Sequence, residues 1–148
     1  MKVTLLLRNE HDTVRGLFAK LKKTNSRNQN GKQGLFDEIR REILLHSQME
    51  IEVFYPALAI TPSTTAGKLV STAEEEHRTI EALLDSMNAM DKDFDTKMGR
   101  LIEEVTQHIE MEEEQIFDEA RKNLPEYRIE ELGLEMEDRR KILARMAA

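Results

Sequence analysis

Two short stretches of the 148-residue chain carry residues that could do chemistry, and they are nearly copies: "HSQME" at residues 46–50 and "HIEME" at residues 108–112. Each sets a glutamate four residues after a histidine. On a helix that spacing puts imidazole and carboxylate on one face, one turn apart. His77 and Glu81 repeat it in "HRTIE", and His11 completes the four histidines of the chain. Imidazole with carboxylate suits iron, manganese or zinc. The absence of cysteine removes thiolate sites, disulfides and thiol nucleophiles.

The elements that must position these groups read as helices. A first, about 3–24, carries Leu7, His11, Val14, Phe18 and Leu21 at spacings of three and four. A second, about 33–58, carries Phe36, Ile39, Ile43, His46, Glu50, Val53 and Ala57. A third, about 66–90, carries Val70, Ala73, His77, Ile80, Leu84 and Met87. A fourth, about 94–122, carries Phe94, Met98, Leu101, Val105, His108 and Glu112. Each stripe is the seam of an amphipathic helix in a bundle. "TNSRNQNGKQG", "TPSTTAG" and "DKD" break the chain between them, with a Ser or Thr of the second break available as a helix cap. Pro56 is expected to kink or end the second helix and Pro125 to stop the fourth. Residues 126–146 form a shorter amphipathic piece, packed outside the bundle or on a partner. The linkers are short, so the expected fold is all-α: an up-down-up-down four-helix bundle with an additional short C-terminal helix, one domain over residues 1–148.

Depth tests whether the histidines meet. His11 lies about 13 residues before Thr24, and His46 about 13 after Gln33, so both sit roughly 20 Å from one bundle end. His46 and His77 match to within about 3 Å across the second connection, and His77 and His108 to about 2 Å across the third. Four imidazoles from four helices therefore fall in one layer. Glu50 and Glu112 lie in the stripes, while Glu81 sits beside its stripe, next to Ile80. An unpaired carboxylate in a bundle core costs several kcal/mol. No Lys or Arg occupies the stripes near this layer, so a bound metal is the economical counter-charge. Six or seven such ligands exceed what one tetrahedral zinc takes and suit two ions bridged by carboxylates. The runs Glu74–Glu75–Glu76 and Glu113–Glu114 read as solvated faces. Tyr55, five residues after Glu50, reads as an aromatic at the end of the bundle or a hydrogen-bond donor to a carboxylate.

The formal net charge of −7 argues against duplex nucleic acid or an anionic membrane as partner. The opening "MKVTLLLRNEH" is too short an apolar run for a signal peptide, and nothing approaches a membrane span. A soluble cytoplasmic protein is expected.

Taken together, His11, "HSQME", "EEEHRTIEALL" and "HIEME" resemble the hemerythrin-like, or HHE cation-binding, family over residues 1 to about 122. The resemblance implies a bundle holding a non-haem di-iron centre, two iron ions that are oxo- or hydroxo-bridged when oxidised. Carried over by position, Glu50 and Glu112 would bridge, His11 and His46 would hold one iron, and His77 and His108 the other. The "VFYP" after Glu50 resembles the family's aromatic–Pro ending; "IFD" after Glu112 lacks the proline. Oxygen-carrying members have a histidine where this chain has Glu81, and five residues rather than four before the last carboxylate. The chain is closer to the subgroup resembling iron–sulfur repair and iron-sensing domains. Glu81 as a ligand would put an anionic oxygen in place of a neutral nitrogen and favour ferric iron. The expected ligand is then dioxygen, peroxide or nitric oxide, bound or turned over. The alternative is an iron-sensing or iron-donating module acting through a homodimer or protein partner at residues 126–146. A structural bundle whose polar layer only sets register is the third reading.

Overall fold

The computed structural model describes residues 1–24 and 28–147, and helices connected by short turns account for nearly all of them. Helix α1 spans Val3–Lys23. Helix α2, Gln29–Met49, continues through a π-helical turn, Glu50–Phe54, into α3, Tyr55–Ala59. Helix α4 spans Thr64–Asp85. Helix α5, Phe94–Met111, continues through a second π turn, Glu112–Ile116, into α6, Phe117–Asn123. Helix α7 spans Glu126–Ala147. The first six form a four-rod bundle, and α7 is an added C-terminal helix.

Local chemistry sets the ends. The Asn28 side chain accepts from the Gly31 N–H at 3.0 Å, so helix resumes at Gln29, inside the expected "TNSRNQNGKQG" break. Residues 25–27 of that break lie outside the described residues. Ser63 caps α4 by accepting from the Ala66 N–H at 3.0 Å. Helix α4 stops at Asp85, short of Met90, because side chains compete for its last backbone groups. Ser86 Oγ donates to the Leu83 carbonyl at 2.7 Å, and Lys97 Nζ donates to the Ser86 carbonyl at 2.9 Å. Pro56 does not end its rod. It stands in the first turn of α3, directly after the π turn, and the helix runs on to Ala59.

The core is in two parts. One cluster gathers Val14 and Phe18 with Ile39, Ile43, Ile80, Leu84, Leu101 and Val105. The other gathers Val3, Leu7, Met49, Phe54, Ala73, Phe117 and Leu132. Each rod passes from one cluster to the other through the polar layer: His11 lies between Leu7 and Val14, His46 between Ile43 and Met49, His77 between Ala73 and Ile80.

Helix α7 is 22 residues long and packs across α1, α2, α6 and the first π turn, burying Ile129, Leu132, Met136 and Leu143. Full burial of each such side chain contributes about 1.5–3 kcal/mol. Gly133 makes the seat possible: a Cβ there would lie 1.8 Å from the Met1 carbonyl oxygen. No described helix is long and apolar enough to cross a membrane.

Gly133→Ala should therefore destabilise the protein by about 1–3 kcal/mol, as overpacking does, although alanine is the better helix former. Gly16→Ala on α1, where an added Cβ meets nothing within 4 Å, should stabilise by up to about 1 kcal/mol. Opposite shifts in the thermal midpoints of the two variants check this seat.

Candidate metal centre

Four helices bring the expected groups to one place. His11 comes from α1, His46 from α2, His77 from α4 and His108 from α5, all with 8% or less of their surface exposed; Glu50 and Glu112 are fully buried. Two sets of four donors form, each with its donor atoms within 4.8 Å of one another: His11, His46, Glu50 and Glu112, and His77, His108, Glu50 and Glu112. Donors about 2.1 Å from a common ion lie up to about 4.2 Å apart, so the donors of each set would draw in by a few tenths of an ångström to share one ion. The same two glutamates belong to both. Glu50 Oε1 lies 2.9 Å from His46 Nε2 and 3.0 Å from His77 Nε2, and Glu112 Oε1 lies 3.1 Å from His11 Nε2. These close approaches lack hydrogen-bond geometry, so that His11 Nε2, His46 Nε2, His108 Nε2, both oxygens of Glu50 and Glu112 Oε1 are buried without a hydrogen-bond partner.

Each imidazole is fixed from behind by the next rod. His46 Nδ1 is 2.7 Å from Glu10 on α1, and His77 Nδ1 is 2.6 Å from Ser47 Oγ on α2. His108 Nδ1 is 2.8 Å from Glu76 on α4, and His11 Nδ1 is 2.7 Å from Glu113 in the second π turn. The ring closes: every supporting residue is the chain neighbour of a central residue on its own rod. A carboxylate behind Nδ1 holds the proton there and leaves the Nε2 lone pair facing the centre.

These partners correct three expectations. Glu76 and Glu113 are not solvated faces but supports, and Glu113 also meets Arg15 at 3.4 Å. Glu81 is not brought to the centre. It accepts from Ser47 Oγ at 2.9 Å, so it stands behind the hydroxyl that supports His77. For Tyr55 the second of the two readings holds, a donor to a carboxylate rather than an aromatic at the bundle end: its hydroxyl donates to Glu112 Oε2 at 2.5 Å and lies 3.0 Å from His77 Nε2. The π turn is the reason. Its wider hydrogen bond, from the Tyr55 N–H to the Glu50 carbonyl, inserts one residue and rotates Phe54 and Tyr55 inward, leaving Val53 only half-buried. Adjacency to a ligand-type residue was the available signal for Glu10, Ser47, Glu76 and Glu113. Nothing local marks Arg140, which reaches Glu10 from α7.

Electrostatics follows from the two buried acids. Burial opposes a charged His46, but Glu50 and Glu10 outweigh it and hold the imidazole well above its ordinary value. His108 is likewise penalised by burial yet raised to about 10 by Glu50, Glu76 and Glu112. Burial and the charge of Glu50 push Glu112 up, and burial with both acids pushes the Tyr55 phenol up. Protons gather where positive charge is wanted. Beside the imidazoles is a cavity of about 30 Å³, otherwise walled by Val14, Ile43, Ile80, Val105 and Ile109, room for one or two water-sized atoms.

The model of the hemerythrin HHE cation-binding domain matches residues 3–120. The chain belongs to this family. Among solved structures it is similar to a hemerythrin HHE cation-binding domain-containing protein, the Rv2633c homologue from Mycobacterium kansasii. The two share 23% identity with a TM-score of 0.75, over 95% of this chain and 88% of that one. That likeness bears on the fold alone. No curated protein matches the chain. Within an HHE domain, the buried His/Glu cluster is compatible with metal binding, and its unpartnered Nε2 and carboxylate atoms fit cations.

Protein stripped of metal by a chelator should lose stability as pH rises from about 6.5 toward about 10, the ordinary and folded-state values of His108. Between them the folded chain keeps a proton that the unfolded chain has released, so raising the pH favours unfolding. His46 acts in the same direction. Thermal melts across this range check the sign; a rising midpoint would overturn the view that protons fill in for cations.

Proposed function

We propose that this HHE domain holds two iron ions and reacts with a small oxidant: dioxygen, peroxide or nitric oxide. One ion would be held by His11 and His46 and the other by His77 and His108, with Glu50 and Glu112 shared. The observation that carries this reading is the pair of four-donor sets with the same two buried carboxylates in common. The nitrogen and oxygen donors suit iron, and the shared acids suit a pair rather than a single tetrahedral zinc. Iron, when bound, supplies one-electron chemistry that no side chain of this site can.

The chain's own groups do the rest. The supports behind Nδ1 fix each imidazole's tautomer and aim. Tyr55 holds a proton at Glu112 Oε2. The two apolar clusters keep bulk water away on both sides. The cavity beside the imidazoles, its remaining wall aliphatic, favours a small uncharged molecule over an ion. Glu81 takes no part as a ligand in this reading, since it is engaged with Ser47.

Anaerobic reconstitution with ferrous iron should load two ions per chain, and admitting air or peroxide should give the near-ultraviolet absorption of a coupled ferric pair. Glu50→Ala or Glu112→Ala should release at least one ion, whereas Glu113→Ala should keep both with weakened affinity. Val105→Phe should fill the cavity, keep the iron and slow reaction with peroxide at least tenfold. Uptake of one ion or none, measured by metal analysis, would overturn the reading.

A further inference from the structure

Helix α7 lies outside the matched residues 3–120, yet one of its side chains enters the support of the centre. Glu10 on α1 is buried, 8% exposed, and its two oxygens point opposite ways. Oε1 meets His46 Nδ1 at 2.7 Å, and Oε2 accepts from Arg140 Nη1 at 2.9 Å. The other guanidinium nitrogen of Arg140 donates to Glu42 Oε2 on α2 at 2.9 Å. Arg140 thus joins three helices and fixes the carboxylate that fixes His46. No arginine or lysine is paired, among the described contacts, with Glu76 behind His108 or with Glu81 behind the Ser47 hydroxyl that supports His77.

We propose that Arg140 is a positioning residue for the His11/His46 half of the centre, and that through it the docking of α7 and metal occupancy of that half are one coupled equilibrium. This rests on the di-metal reading above. A buried carboxylate tied at both ends cannot reorient without breaking a charge-assisted hydrogen bond. With Arg140 in place, Glu10 presents one oxygen to His46, and Nε2 stays aimed inward. With α7 displaced, Glu10 loses its counter-charge and is free to turn, and His46 loses its fixed aim. Coupling is reciprocal: a metal that needs His46 aimed must hold α7 down. The seat at Gly133 against Met1 and the buried Leu132 and Met136 make the docked state a defined one. The helix is then a reporter of occupancy, able to present a different surface when the half-site is lost.

The test uses the full chain and ferrous iron under anaerobic conditions. Arg140→Ala should weaken one of the two ions by about 10- to 100-fold, the usual effect of removing such a support, and leave the other unchanged. Arg140→Lys should restore part of the loss. Arg139→Ala, which breaks only the exposed pair with Glu52 on the same helix, should change neither. In a His46→Ala background, Arg140→Ala should have no further effect. Hydrogen exchange of the α7 amides should slow when iron is added to wild type and not when it is added to Arg140→Ala. Wild type that takes up no iron overturns the di-metal reading itself. Wild type that takes up two, with Arg140→Ala matching its affinities or with α7 exchange indifferent to iron, overturns the coupling alone. If Arg140→Ala loses its helical circular dichroism, the comparison of Arg140→Lys with Arg139→Lys decides by the same affinities.

Discussion

The rest of the structure depends on two carboxylates that share one fully buried space. Glu50 and Glu112 have no exposed surface and stand between two apolar clusters. Taking one such ion out of water costs several kcal/mol even after relaxation, and a second beside it adds repulsion. Among the described residues no ammonium or guanidinium stands at the centre; what stands there is four imidazoles. Surrounding two acids with titratable rings makes a place where positive charge is wanted but not permanently supplied. Protons or metal ions can provide it, and the two compete.

This arrangement explains why the core is divided. A continuous seam of leucine and isoleucine from end to end would pack better, and replacing buried ionic groups by apolar ones is often stabilising. The two clusters instead hold the rods in register so that four rings arrive at one height. Stability resides in the clusters, and the polar layer draws on it. The aliphatic walls then do a second task, since Ile80 and Val105 both pack in the cluster of Val14 and Phe18 and line the small cavity.

Much of this was legible in the chain. Periodicity placed His11, His46, His77 and His108 inward, and counting from the breaks put them in one layer, because rise per residue in a helix is nearly constant. The two π turns were not legible. They insert one residue without a local signal in "EIEVF" or "EEEQI", so a regular stripe points to Val53 where the fold uses Phe54 and Tyr55. The supports were hidden for a different reason: Glu10, Glu76 and Glu113 sit in acidic surroundings that resemble any solvated face. Only the rotation of the neighbouring rod decides that each meets an imidazole. Glu81 misled because spacing fixes the face of a residue but not the partner that reaches it first, here Ser47.

The ring of supports has a mechanical consequence. Glu10 adjoins His11, Ser47 adjoins His46, Glu76 adjoins His77 and Glu113 adjoins Glu112, so each rod carries a central group and its neighbour's support side by side. Turning any rod about its axis moves both at once: it withdraws a donor from the centre and frees the imidazole on the next rod. Rotation of a whole rod is therefore felt on two rods at once, whereas loss of a single support is felt at the one imidazole it holds. The ring is tied to basic side chains at two places, Glu113 to Arg8 and Arg15, and Glu10 to Arg140. Both tied acids stand behind the imidazoles of α1 and α2, His11 and His46. The other two imidazoles rely on a hydroxyl and on Glu76, whose side chain is one-third exposed. Two donor sets that look alike by their residues are thus unlike in how firmly their imidazoles are held.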